Sequence, residues 1–147
     1  MYRLATFLAA FVIATAAFAQ PFSHQALDDV LRAHVKQGEV DYPAIARDPK
    51  LSTYLESIKA VDVNSLETKV EQLSFWINAY NALAIKGILN GGSPSTFFGR
   101  IGYFSGAVYE VGGQSVNLYD LEREIIIPMA SPAFTSPSIV RRCLAPS

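Results

Sequence analysis

Six residues carry most of the chemistry open to this chain: Ser74, Trp76, Asn78, Tyr80 and Asn81 within one apolar stretch, and Glu122 further along. A carboxylate acts as a general acid or base when it comes within hydrogen-bond reach of a substrate. A side-chain amide offers one carbonyl and two N–H donors, enough to orient a water or hold a ligand, and each such group left unpaired in a core costs roughly 1–3 kcal/mol. Asn78, Asn81 and Glu122 are therefore the catalytic candidates, around a polar slot of the kind a hydrolase or transferase uses. Ser74, Trp76 and Tyr80 are the ligand-binding candidates, the last two with a large ring and a polar handle. Each also has a plainer use. Buried amides commonly satisfy backbone groups of neighbouring loops, aromatic rings at helical spacing commonly fill cores, and Glu122 has Arg123 and Lys86 as possible ion partners.

The elements that must position these side chains follow from local signals. Asn64 and Glu67 have the spacing of a capping box, which predicts a long helix from Ser65 to Leu89, ended by Asn90-Gly91-Gly92. On its wheel Leu73, Tyr80, Leu83, Ala84 and Gly87 gather around Trp76, while Ser74, Asn78 and Asn81 fall together at about 140–200° from it. A helix apolar nearly all round is a buried one, so the polar stripe is expected to point inward. Ala107–Val111, the pair Gly112-Gly113 and Gln114–Val116 predict a β-hairpin. Asn117 then caps a helix running from Leu118 to Ile127, with Asp120 returning the bond and Pro128 ending it.

Ahead of the central helix, Ala26, Leu27, Val30, Leu31 and Val35 mark one face of a helix capped by Ser23 and stopped by Gly38. An extended piece, Glu39–Tyr42, leads to a turn and brief helix at Pro43, and Asp48-Pro49 opens another helix through Leu51, Tyr54, Leu55 and Ile58. Residues 93–106 read as a loop folded over the core, with Phe97, Phe98, Tyr103 and Phe104 in it. Residues 128–147 read as an irregular proline-rich tail. The expected fold is a helix-rich α+β single domain around a buried central helix, with a short antiparallel β-hairpin.

Composition narrows the function. Met1-Tyr2-Arg3, an apolar run from Leu4 to Ala17 and the small residues around Ala19 have the form of a secretory leader cleaved after Ala19, too short for the ~20 apolar residues of a membrane span. The domain proper is then residues 20–127, in a periplasm or the medium. Without Arg3 the balance is 11 basic to 13 acidic residues, too nearly neutral to steer the protein to polyanions, and no basic run suggests nucleic acid. One cysteine, Cys143, permits no internal disulfide, and with His24 and His34 near the other end it makes no convincing thiol dyad. The acidic residues lack metal-ligand spacing, and the glycine pairs lack the strand and helix of a phosphate cradle, so neither a metal nor a cofactor is expected.

Three ordered blocks resemble the DUF547 family, which has no assigned activity: Gly38-Glu39-Val40-Asp41-Tyr42, then Phe75-Trp76-Ile77-Asn78-Ala79-Tyr80-Asn81-Ala82-Leu83, then Gly113 through Glu122. In relatives the last block runs on into an arginine, then a histidine and a cysteine-serine-cysteine-proline neighbourhood. Here Ile125-Ile126-Ile127-Pro128-Met129 stands instead, so the chain looks like a member lacking the family's C-terminal portion. The resemblance and the composition together favour an exported binding or interaction module of the cell envelope, with a protein or small-molecule partner. An enzyme whose slot needs the missing segment, and a truncated copy without function, are the other readings.

Overall fold

A computed structural model describes residues 21–131; the expected leader, and the tail from residue 132 with Cys143, lie outside the described residues. The element order is α1 (Gln25–His34), β1 (Val35–Lys36), β2 (Glu39–Val40), α2 (Tyr42–Ile45), α3 (Pro49–Ala60), a 3₁₀ turn (Val63–Ser65), α4 (Lys69–Leu89), α5 (Phe97–Ile101), a π-helical turn (Gly102–Gly106), β3 (Tyr109–Val111), β4 (Gln114–Val116), α6 (Leu118–Asp120), a second π-helical turn (Leu121–Ile126) and α7 (Ile127–Ala130). This is the expected helix-rich α+β domain, with α4 at its centre.

The core gathers where α3 and α6 meet α4: Phe75, Ala79 and Ala82 of α4, Ile58 of α3 and Leu118 of α6 have no measurable exposure. Asp48 opens α3 as its sequence implies, its carboxylate accepting from the Lys50 N–H at 2.9 Å with Pro49 in the first turn. The β3–β4 hairpin pairs Tyr109 with Val116 and Val111 with Gln114, turning through Gly112 and Gly113 at φ +57° and +72°, a conformation that costs glycine nothing. The Gly112 N–H donates to the Ile58 carbonyl at 2.9 Å, and Lys59 pairs with Glu110 at 2.8 Å, so the hairpin is fastened to the end of α3.

Several boundaries differ from the sequence expectation. The central helix starts at Lys69, because Thr68 and Glu71 form the capping box: Thr68 Oγ1 accepts from the Glu71 N–H at 3.1 Å and Glu71 Oε2 from the Thr68 N–H at 2.9 Å. Asn64 is inside the preceding 3₁₀ turn, its N–H taken by Asp62. Thr68→Ala removes one half of the box and is expected to cost about 1 kcal/mol, read as a lower urea midpoint at unchanged slope. Gly38 does not end α1. It stands with Gln37 at positive φ in a small β1–β2 hairpin, and α1 begins after His24 with Ser23 Oγ accepting only the Gln25 N–H at 3.3 Å. Residues 93–106 are not a plain loop: Thr96 Oγ1 caps α5 through the Gly99 N–H at 3.0 Å, and the π turn follows. Pro128 does not end the last helical run either. It sits in the first turn of α7, where a proline without an N–H is tolerated, directly after a π segment that has already shifted the hydrogen-bond register.

Candidate functional site

The polar stripe of α4 is not turned into the core. Asn81 is exposed, Asn78 and Ser74 are half-buried, and no polar side chain is fully buried among the described residues. Asn78 donates from Nδ2 to the Ser74 carbonyl at 2.9 Å, so one of its N–H groups is used one turn back on its own helix. The inward position went to the opposite, apolar side, where Phe75, Ala79, Ala82 and Leu83 meet the neighbouring helices.

Glu122 comes to α4, at a different residue from those amides. The second π turn packs against α4, and Tyr80 Oη donates to Glu122 Oε2 at 3.4 Å, a long bond. Burial first, then the Glu122 charge and this bond, raise the Tyr80 hydroxyl above its ordinary value, so it remains a protonated donor at neutral pH. Beside it Tyr103 donates to the Ala84 carbonyl at 2.8 Å, and burial chiefly, with Tyr80, Tyr109 and Tyr42 nearby, pushes its pKa up to about 12. Tyr109 Oη is buried without a hydrogen-bond partner among the described residues. Trp76 is a core residue, its ring 5.3 Å from that of Phe75. The six candidates are thus distributed over three settings: Trp76 in the core, Tyr80 with Glu122 at the α4–π-turn seam, and Ser74, Asn78 and Asn81 toward the surface.

The two histidines occupy separate settings. His34 Nε2 lies 3.0 Å from Asp48 Oδ2. His24 Nδ1 lies 2.7 Å from Tyr54 Oη, inside a cluster with Phe22 and Phe75. Burial lowers the His24 pKa from 6.5, so the folded protein holds this imidazole neutral while the unfolded chain takes up a proton more readily. The associated stability is present above pH ~6.5 and is lost as pH falls through that value toward the lower folded pKa. Urea midpoints at pH 7.5 and 5.5 are expected to separate in the wild type and to draw together in His24→Gln, which hydrogen-bonds without titrating.

The surface feature that sequence reasoning did not assemble lies next to Glu122. Phe97, Arg100 and Ile101 of α5 face Tyr119, Glu122 and Arg123 across an open cleft of about 430 Å³ whose floor includes Phe104. Phe97 is 68% exposed and Phe98 83%, their ring centroids 5.4 Å apart, and Ile101 and Tyr119 are each about half exposed at 51%. The Arg123 guanidinium lies 5.9 Å from the Tyr119 ring centroid. Among the described residues neither Arg100 nor Arg123 is in an ion pair. The signal available in sequence was Thr96-Phe97-Phe98-Gly99-Arg100-Ile101, a cap followed by apolar residues around one cation. What it could not give was the second wall, which tertiary packing brings from beyond the β-hairpin.

Residues 63–142, more than half of the chain, match a family model described as a protein of unknown function. No curated protein and no solved structure matches. No helix among the described residues is long and apolar enough to cross a membrane, and no three or more His, Cys, Asp or Glu side chains there gather as they would around a metal ion.

Proposed function

We propose, for a chain that belongs to the DUF547 family of proteins of unknown function, that it is an exported binding module of the cell envelope whose binding surface is the aromatic and arginine-flanked cleft between α5 and the second π turn. The observation that carries this reading is the exposure of Phe97 and Phe98 beside Ile101 and Tyr119. Contiguous exposed apolar surface of this kind, with a polar rim, is a feature of interaction sites, and nothing in the packing of α5 needs either phenylalanine to point outward. The leader-like residues 1–19 support export. Tyr80 and Glu122 are read as part of the wall of that surface: the carboxylate lines the cleft and lies 3.4 Å from the Tyr80 hydroxyl, which burial and the carboxylate keep protonated.

The substitutions Phe97→Ser and Phe98→Ser made together are expected to leave the melting temperature within a degree or two of wild type, since exposed positions contribute within about ±0.5 kcal/mol, while removing the protein's attachment to the envelope. The export half is tested by intact mass and cell fractionation. The expected product begins at Gln20 and lies outside the cytoplasm; an unprocessed chain found in the cytoplasm overturns it.

A further inference from the structure

We infer that the occupant of this surface is the interface of an anionic phospholipid layer, with the Phe97 and Phe98 rings inserted among the acyl chains and Arg100 and Arg123 on lipid phosphates. The inference rests on the binding-module reading and adds what is bound.

The shape of the patch favours a lipid interface over a folded partner. Phe98, the most exposed large apolar residue at 83%, does not line the cleft; it stands outside it, on the two-residue tip where α5 begins. A protein surface would have to offer a pocket matched to that tip, whereas a fluid layer closes around a protruding ring without one. The charges agree. Arg100 is one turn from Phe97 on α5 and Arg123 lines the same cleft from the other wall, over the Tyr119 ring, and among the described residues neither is in an ion pair. Glu122 also lines the cleft, 3.4 Å from the Tyr80 hydroxyl, so the lining has two guanidiniums to one carboxylate. Aromatic rings on one face with cations at the rim are the composition of segments that lie in the membrane interface, the long side chains reaching back to the headgroups. Attraction of the two cations to an anionic surface adds to insertion of the rings and is screened by salt.

The test uses the exported product, residues 20–147, with Phe98→Trp. The chain's single tryptophan, Trp76, is buried at 4% exposure, so the emission added by an indole at position 98, read against the wild-type spectrum under the same conditions, reports on this tip. Vesicles are prepared with acyl-chain-brominated phosphatidylcholine, with and without about a third phosphatidylglycerol. The expected result is quenching and a blue shift on the anionic vesicles, with apparent affinity falling at least tenfold on pure phosphatidylcholine, with Arg100→Gln plus Arg123→Gln, or in high salt. Vesicle binding without quenching of this indole, or equal binding to neutral and anionic vesicles, overturns the inference, as does no binding at all. If the tip is silent toward lipid yet Phe97→Ser plus Phe98→Ser still releases the protein from the envelope, the lipid assignment alone falls and the binding-module reading stands.

Discussion

Phe75→Ala is expected to cost about 3–5 kcal/mol, roughly a fifth or more of a total stability on the order of 5–15 kcal/mol, and at the lower end of that range enough to unfold a large share of the protein. Phe75 has no exposed surface, and its ring meets Phe22 edge-on at 5.1 Å, Trp76 at 5.3 Å and His24 at 6.4 Å. Truncation leaves a cavity that α1, α3 and α4 can fill only by moving together, and such collapse is never complete in a close-packed interior. The comparison that gives the result meaning is Phe98→Ala, which removes the same ring from a site 83% exposed and is expected to shift stability by less than about 0.5 kcal/mol. Urea unfolding of the two variants, side by side, checks both. Equal losses would mean that α5 does not stand as described.

The next largest effect is expected at Gly87. In an exposed helix interior, glycine to alanine gains about 1 kcal/mol of helix propensity. Here the new Cβ would lie 2.8 Å from Tyr103 Cε2 and 3.0 Å from Tyr109 Oη. Neither ring yields readily: Tyr103 is buried and pinned by its bond to the Ala84 carbonyl, and Tyr109 belongs to the β3–β4 hairpin. Overpacking costs typically ~1–3 kcal/mol, so Gly87→Ala should be net destabilising by about 1 kcal/mol, a fall of several degrees in melting temperature. Tyr103→Leu removes the closer ring edge and leaves the 3.0 Å approach to Tyr109 Oη, so in that background the cost of the alanine should shrink. A double-mutant cycle reads the coupling directly. Tyr103 also heads the π turn that carries Phe104 under the cleft, so Gly87→Ala is expected to weaken binding as well as stability.

The contrast between Phe75 and Phe98 also shows where sequence reading reaches its limit. Signals closed within a few residues were legible: Asp48-Pro49 at the start of α3, Gly112-Gly113 in the hairpin, Asn117 accepting from the Asp120 N–H at 2.8 Å. The start of α4 was not, because Asn64 with Glu67 and Thr68 with Glu71 satisfy the same spacing, and only the Asp62-closed turn excludes the first. The two π turns were illegible for a different reason, since a bond to the fifth residue breaks the 3.6-residue period on which the wheel depends. That wheel did group Ser74, Asn78 and Asn81 correctly on one side. Their exposure was beyond it, because periodicity separates faces without saying which face the other helices cover. The cleft required α5 and the second π turn to meet across the β-hairpin, a tertiary fact with no local signature.

Attachment to the envelope through Phe97 and Phe98 is tested by the fraction of protein recovered with envelope membranes, wild type against Phe97→Ser plus Phe98→Ser, at matched folding confirmed by melting. If the two rings make that attachment, wild type sediments with the envelope and the double variant is released, folded, into the soluble fraction. Equal recovery of two folded proteins would contradict it.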